Sequence, residues 1–143
     1  MSLDSLIKDG KGFAFKATKE EICRALNIAK RDLILAKKTK KDRLDWCFAI
    51  CYKAVLQTCR AYMFSLKYRP SSYQSHKVIF EFMHNMMGES YKDTINYFDR
   101  ARRKRHRLIY NEINAVSEVE AKEMLNKTEV FLNSIEELIK RKK

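Results

Sequence analysis

Glycine and proline are nearly absent from this chain, with three glycines and one proline in 143 residues. Sandwiches, barrels and doubly wound sheets need many turn residues, so that scarcity argues against all of them. Nearly every residue must lie in long elements with few connections, which means helices. Hydrophobic residues make up 45% of the chain, enough for a packed core and against wholesale disorder. No apolar run approaches the roughly 18 residues of a membrane span. Met1-Ser-Leu-Asp-Ser-Leu6 carries no basic stretch and no apolar core, so no secretory leader and no membrane are expected, and the location expected is cytoplasmic.

The hydrophobic pattern divides into helices. Thr18 and Glu21 form a T-x-x-E capping box just ahead of Ile22, Leu26, Ala29, Leu33 and Ala36, whose steps of 4, 3, 4 and 3 define one helix face. Lys37, Lys38, Lys40 and Lys41 end that helix, where cations suit the negative end of its dipole. A second helix runs from Asp42 or Leu44 to Leu66. Its stripe of Leu44, Cys47, Phe48, Cys51, Val55, Cys59, Tyr62 and Leu66 is widened by Trp46, Ile50, Ala54, Ala61 and Phe64, the mark of a central helix. Tyr68 to Gln74, around Pro70, reads as the main loop. A third helix is expected from Ser75 to Met87, stopped by Gly88, a fourth from Glu89 to Glu112, and a fifth from Ser117 to Arg141 behind a second box, Ser117-Glu-Val-Glu120. The expected fold is all-α, an antiparallel bundle of four to five helices. One domain is expected over 18–141, with 1–17 as an N-terminal arm holding at most one short helix and 142–143 as a basic tail.

Cys47, Cys51 and Cys59 lie among apolar neighbours on one helix and read as core thiols. Glu81-Phe-Met-His84 is an E-x-x-H, but di-iron bundles need two such pairs and two further glutamates, and the chain has one pair and three histidines. No metal and no cofactor are expected.

Lys and Arg number 30 against 18 Asp and Glu, a formal net charge of +12 that points to a polyanionic partner, nucleic acid before membrane surface. The charge concentrates in Tyr97-Phe-Asp-Arg-Ala-Arg-Arg-Lys-Arg-His-Arg-Leu-Ile-Tyr-Asn111, where six of the eight residues from Arg100 to Arg107 are Lys or Arg and a seventh is His106. Turning the chain by about 100° per residue sets Tyr91, Ile95, Phe98, Ala101, Leu108 and Ile109 on the apolar side. Arg100, Lys104 and Arg107 then point away and Arg103 lies on the flank, as solvent- or phosphate-facing charges. Arg102 and Arg105 instead project along the apolar stripe. An unpaired guanidinium in a core would cost several kcal/mol. These two therefore need acidic partners, a wet cleft, a subunit interface or a bound anion, unless both snorkel to the edge of the face. Phosphate suits arginine, whose planar fork gives paired hydrogen bonds.

At these residues the chain resembles the HEPN domains, from about Ile22 to Ile139. The resemblance takes in Ala29-Lys-Arg-Asp-Leu33, the Trp46 to Leu66 helix, Tyr68-Arg-Pro with the His76 helix after it, and the basic motif. It implies an all-helical bundle that pairs with a second copy, motif helices facing each other. Many HEPN domains are metal-independent endoribonucleases, and many act as toxins beside a small nucleotidyltransferase antitoxin. Their signature is R-x(4–6)-H, often with a polar residue after the Arg, acting on the RNA phosphate and ribose hydroxyl.

Two registers fit. Arg100 and His106 satisfy R-x5-H literally, but Arg100 points away from the stripe. In the other, preferred because it places the arginine inward, Arg105 takes the family arginine, His106 the polar position and Tyr110 the place of the family histidine. A tyrosine, with a pKa of about 10, is a poor base at neutral pH, whereas an imidazole is a competent one, so His106 can partly substitute. The function expected is RNA binding by a homodimer, with Arg105, His106 and Tyr110 as catalytic candidates. Arg100, Arg102, Arg103, Lys104 and Arg107 are the nucleic-acid contacts. The alternative is a silent module that binds RNA or nucleotide or partners a nucleotidyltransferase.

Overall fold

The computed structural model describes residues 8, 12–70, 75–110 and 116–141, with the backbone alone at 12, 13, 75, 109 and 110. Five helices account for most of them: α1 (Lys19–Thr39), α2 (Leu44–Ser65), α3 (Ser75–Met87), α4 (Lys92–Tyr110) and α5 (Glu118–Arg141). The fold is an all-α bundle, as the patterning predicts.

Each boundary has a local cause. Thr18 Oγ1 accepts from the Glu21 amide at 3.1 Å while Glu21 Oε1 accepts from the Thr18 amide at 3.1 Å, a reciprocal box that satisfies two donors at the start of α1. Ser117 and Glu120 repeat it ahead of α5, both bonds again 3.1 Å. Gly88, at φ +76°, ends α3 in a conformation that L side chains rarely adopt, and a single 3-10 turn over Glu89–Tyr91 leads into α4. Lys67 takes the same left-handed region, at φ 71°, just after α2.

The chain then differs from the expected loop. Tyr68–Pro70 is a short strand, β2, paired antiparallel with β1 (Gly12–Ala14), with Phe13 opposite Arg69. Part of the expected N-terminal arm is thereby tied to the end of α2, and Phe15 packs its ring 5.4 Å from Phe64. Such a pairing is invisible to helical periodicity because its partners lie more than fifty residues apart. Pro70 is tolerated because it sits at the end of a two-stranded ribbon.

Helix α2 is the centre. It buries Cys47, Phe48, Cys51, Tyr52, Ala54, Val55, Leu56, Thr58, Cys59, Ala61, Tyr62 and Met63. Helix α1 packs along it, α5 lies against both, and α4 packs on α2 and α3. The ion pairs Lys30–Glu136 at 2.5 Å and Lys37–Glu129 at 2.9 Å run in opposite chain directions, so α1 and α5 are antiparallel. Phe98 of α4 meets Phe131 of α5 at 5.1 Å between ring centres. Trp46 corrects the expected α2 stripe, because it is 54% exposed. It lies in the first turn of α2, beside Arg43, whose guanidinium sits 5.8 Å from its ring. No helix among the described residues is long and apolar enough to cross a membrane.

Candidate functional site

Helix α4 buries Ile95, Phe98 and Ala101, which fixes its rotation and therefore the direction of every basic residue on it. Arg102 lies beside that face, its side chain 26% exposed, with Nε donating to Asp99 Oδ1 at 2.9 Å. Arg103 is turned out to solvent, 3.9 Å from the other oxygen of Asp99. Arg105 is half-buried. Its guanidinium lies 5.4 Å from the centre of the Tyr52 ring, a cation held over an aromatic face. Its Nε is buried and has no hydrogen-bond partner among the described residues.

Tyr52 is wholly buried on α2, and its hydroxyl lies 3.3 Å from Nδ1 of His76 in the first turn of α3. The two rings are 5.8 Å apart. Burial raises the Tyr52 phenol, against the lowering effect of Arg102 and Arg105. Burial lowers His76 from its ordinary value, and Arg105, Arg60 and Arg102 lower it further. Both effects favour the neutral form of His76.

Between α3 and α4 these side chains line a cleft of about 460 Å³. Its walls are His76, Arg102, Arg103, Arg105, His106 and Arg107. Among the described residues no carboxylate lines it. Asp99 offsets part of the charge of Arg102 and Arg103, and four guanidiniums around one cavity still leave a net positive wall that attracts an anion. Arg105 also borders a second, more apolar groove with Trp46, Ala49, Ile50 and Leu108.

The expected site residues divide between two places. Arg102, Arg103, Arg105, His106 and Arg107 meet in the cleft. Arg100 does not. It lines a separate hollow of about 230 Å³ between α4 and α5 with Lys104, Glu120 and Glu123, which Arg107 also borders. Lys104 departs from its expected outward direction. It is ion-paired with Glu120, its side chain 19% exposed and its ammonium 5.9 Å from the Phe48 ring. The attraction of Glu120 turns it toward α5, and the Lys104 hydrogen bond, before that of the Ser117 amide, holds the Glu120 carboxyl below its ordinary range. Tyr110 closes α4, and its side chain lies outside the described residues.

Tyr52 and His76 are absent from the sequence-derived site. Tyr52 follows the same spacing as its neighbours Phe48, Val55 and Cys59, so periodicity could have placed it inward. Nothing in the sequence pairs it with a histidine 24 positions on. Among the described residues no three metal-ligating side chains converge.

A family model described as HEPN domain matches residues 22–138, most of the chain and all of the cleft. A comparison with curated proteins returns no match.

Proposed function

This chain belongs to the HEPN domain family, and on that premise we propose that it binds single-stranded RNA through phosphates held in the α3–α4 cleft and cleaves it without a metal ion. The observation that carries this reading is Arg105. This half-buried guanidinium, at the edge of a cleft walled by cations, has the Tyr52 ring beneath it but no hydrogen-bond acceptor for its Nε among the described residues. An entering phosphate pairs with the part of that guanidinium that lines the cleft. Arg102 and Arg105 grip the scissile phosphate and oppose the negative charge that grows on it. His106 takes the proton of the ribose 2′-hydroxyl as that oxygen attacks phosphorus. The bond from phosphorus to the next 5′-oxygen breaks, that oxygen leaves with a proton from water, and a 2′,3′-cyclic phosphate remains. Two copies of the chain pair, motif helices facing, so that both clefts serve one RNA.

Cleavage of a labelled single-stranded RNA in the presence of a chelator tests this. Arg105→Gln and His106→Ala each lower the rate by about 100-fold or more while leaving helicity intact. Undiminished cleavage by both variants rejects the assignment. A second reading has one sequence observation in its favour: Tyr110 stands where the family carries histidine. In that reading the cleft binds RNA or nucleotide without cutting it and the chain partners a nucleotidyltransferase. Binding that depends on Arg105, with no cleavage at any pH, selects it.

A further inference from the structure

We infer that His76 is a phosphate-contacting hydrogen-bond donor of the cleft, fixed as its Nε2–H tautomer by the buried hydroxyl of Tyr52. The inference rests on the reading that the cleft receives phosphate, and it adds a residue outside the basic motif.

The tautomer follows from counting hydrogens. The Tyr52 hydroxyl is buried, and a buried O–H needs an acceptor. Its partner is Nδ1 of His76, at 3.3 Å. If Nδ1 carried the proton, the phenol oxygen would have to accept it, and the phenol hydrogen would be left buried with nothing to bond. The phenol therefore donates, Nδ1 accepts, and the imidazole proton sits on Nε2. Both ends of this bond are held in the required state. Burial keeps the phenol protonated. Burial, then the guanidiniums of Arg105, Arg60 and Arg102, favour the neutral imidazole. An imidazolium would carry a proton on each nitrogen, would turn the Tyr52 bond round and would leave the phenol hydrogen without an acceptor.

The charged and titratable groups around His76 come from two helices. Tyr52 and Arg60 belong to α2. Arg102 and Arg105 belong to α4, as do Arg103, His106 and Arg107 of the cleft wall. The arginines supply the charge that draws a phosphate in. His76 adds a directed donor from the opposite helix without a further positive charge in a crowded wall. Its Nε2 is already protonated, so it does not accept a proton, and the proton-accepting role stays with His106. Tyr52 is a positioning residue for both walls, since its hydroxyl orients His76 and its ring face carries Arg105.

The test uses the full chain, uniformly labelled with nitrogen-15. Long-range proton–nitrogen spectra distinguish the two tautomers of the three histidines, and loss of one set in His76→Gln assigns His76. The expected result at pH 7 is the Nε2–H form in the native protein and a mixture of tautomers in Tyr52→Phe. Added inorganic phosphate shifts the His76 signals more than those of His84, which lies outside the cleft. Binding of a short single-stranded RNA weakens about tenfold in His76→Ala and stays within about threefold of native in His76→Gln, whose amide offers a neutral donor. Circular dichroism confirms that the variants are folded. An Nδ1–H or charged His76 in the native protein, or signals that ignore phosphate, overturns the inference. If Arg105→Gln weakens RNA binding and His76→Ala does not, the cleft stands and His76 has no part in it. If Arg105→Gln leaves binding unchanged, the cleft reading itself fails, and His76 loses its ligand while its tautomer remains as measured.

Discussion

Arg105 is held in a way that serves a ligand better than it serves the fold. Its contact with the Tyr52 ring is favourable, but its Nε is desolvated without a partner, an arrangement that costs about 1–3 kcal/mol. Arg105→Met keeps the bulk over Tyr52 and removes the orphaned donor. Its thermal stability is expected within about 1 kcal/mol of native, while RNA affinity falls at least tenfold. A melting curve and a binding isotherm on the same sample check both. Lys104 should behave in the opposite sense, because Glu120 already engages it. Lys104→Ala leaves RNA affinity within about threefold of native and shows its effect in acid-dependent stability instead. The Glu120 carboxyl is held below its ordinary range, so its contribution is complete above the unfolded carboxylate pKa, near about 4.3, and fades as pH falls through the lower folded value. Helicity followed during acid titration, native against Lys104→Ala, reports that loss.

The helices depend on devices at their ends as much as on their faces. Thr18→Ala removes half of a reciprocal capping box and is expected to destabilise the protein by about 1 kcal/mol, read as a lower denaturant midpoint. Gly88 illustrates a different cost. A Cβ built there meets nothing within 4 Å, so packing does not oppose Gly88→Ala. The backbone does, since φ +76° is strained for any L side chain, and a loss of about 1 kcal/mol is expected. The same element-scale rules made most of the architecture readable in advance. Both boxes, the five helices and the stop at Gly88 are local signals, decided by residues within a turn or two of one another. The β1–β2 ribbon was not readable, because three-residue strands have too short a pattern to register and their pairing is a tertiary event.

At the scale of the whole molecule the excess of cations is the dominant electrostatic fact. Engaging about five phosphates on a single strand gives a log–log dependence of affinity on salt with slope roughly −3.5. Removing Arg105 should lower that slope by about 0.7. Stability should also depend on pH through His76. Folding holds its pKa below the unfolded value of about 6.5. The contribution is complete above the unfolded value and is lost as pH falls from there through the folded pKa, because the unfolded chain takes up the proton first. Melting temperatures between pH 7.5 and 5 should fall more in the native protein than in His76→Gln.

The order of amino acids alone determined the fold class, because scarce turn residues, two capping boxes and stripes at helical spacing are constraints that each stretch of chain imposes on itself. It also located the basic ridge on α4 and set Arg102 and Arg105 apart from their outward neighbours, since burying one stripe settles how a helix is turned. Packing decided what that ridge faces. Only when α2, α3 and α4 come together does Tyr52 lie beneath Arg105 and against His76, and only the packing of α5 on the other side puts Arg100 in a different hollow from His106. The distances that make a binding site run between helices. Helical periodicity describes one helix at a time, so it gives the direction in which each side chain leaves its own helix without naming what stands opposite, and a partner such as Glu120 can turn a long side chain such as Lys104 from that direction.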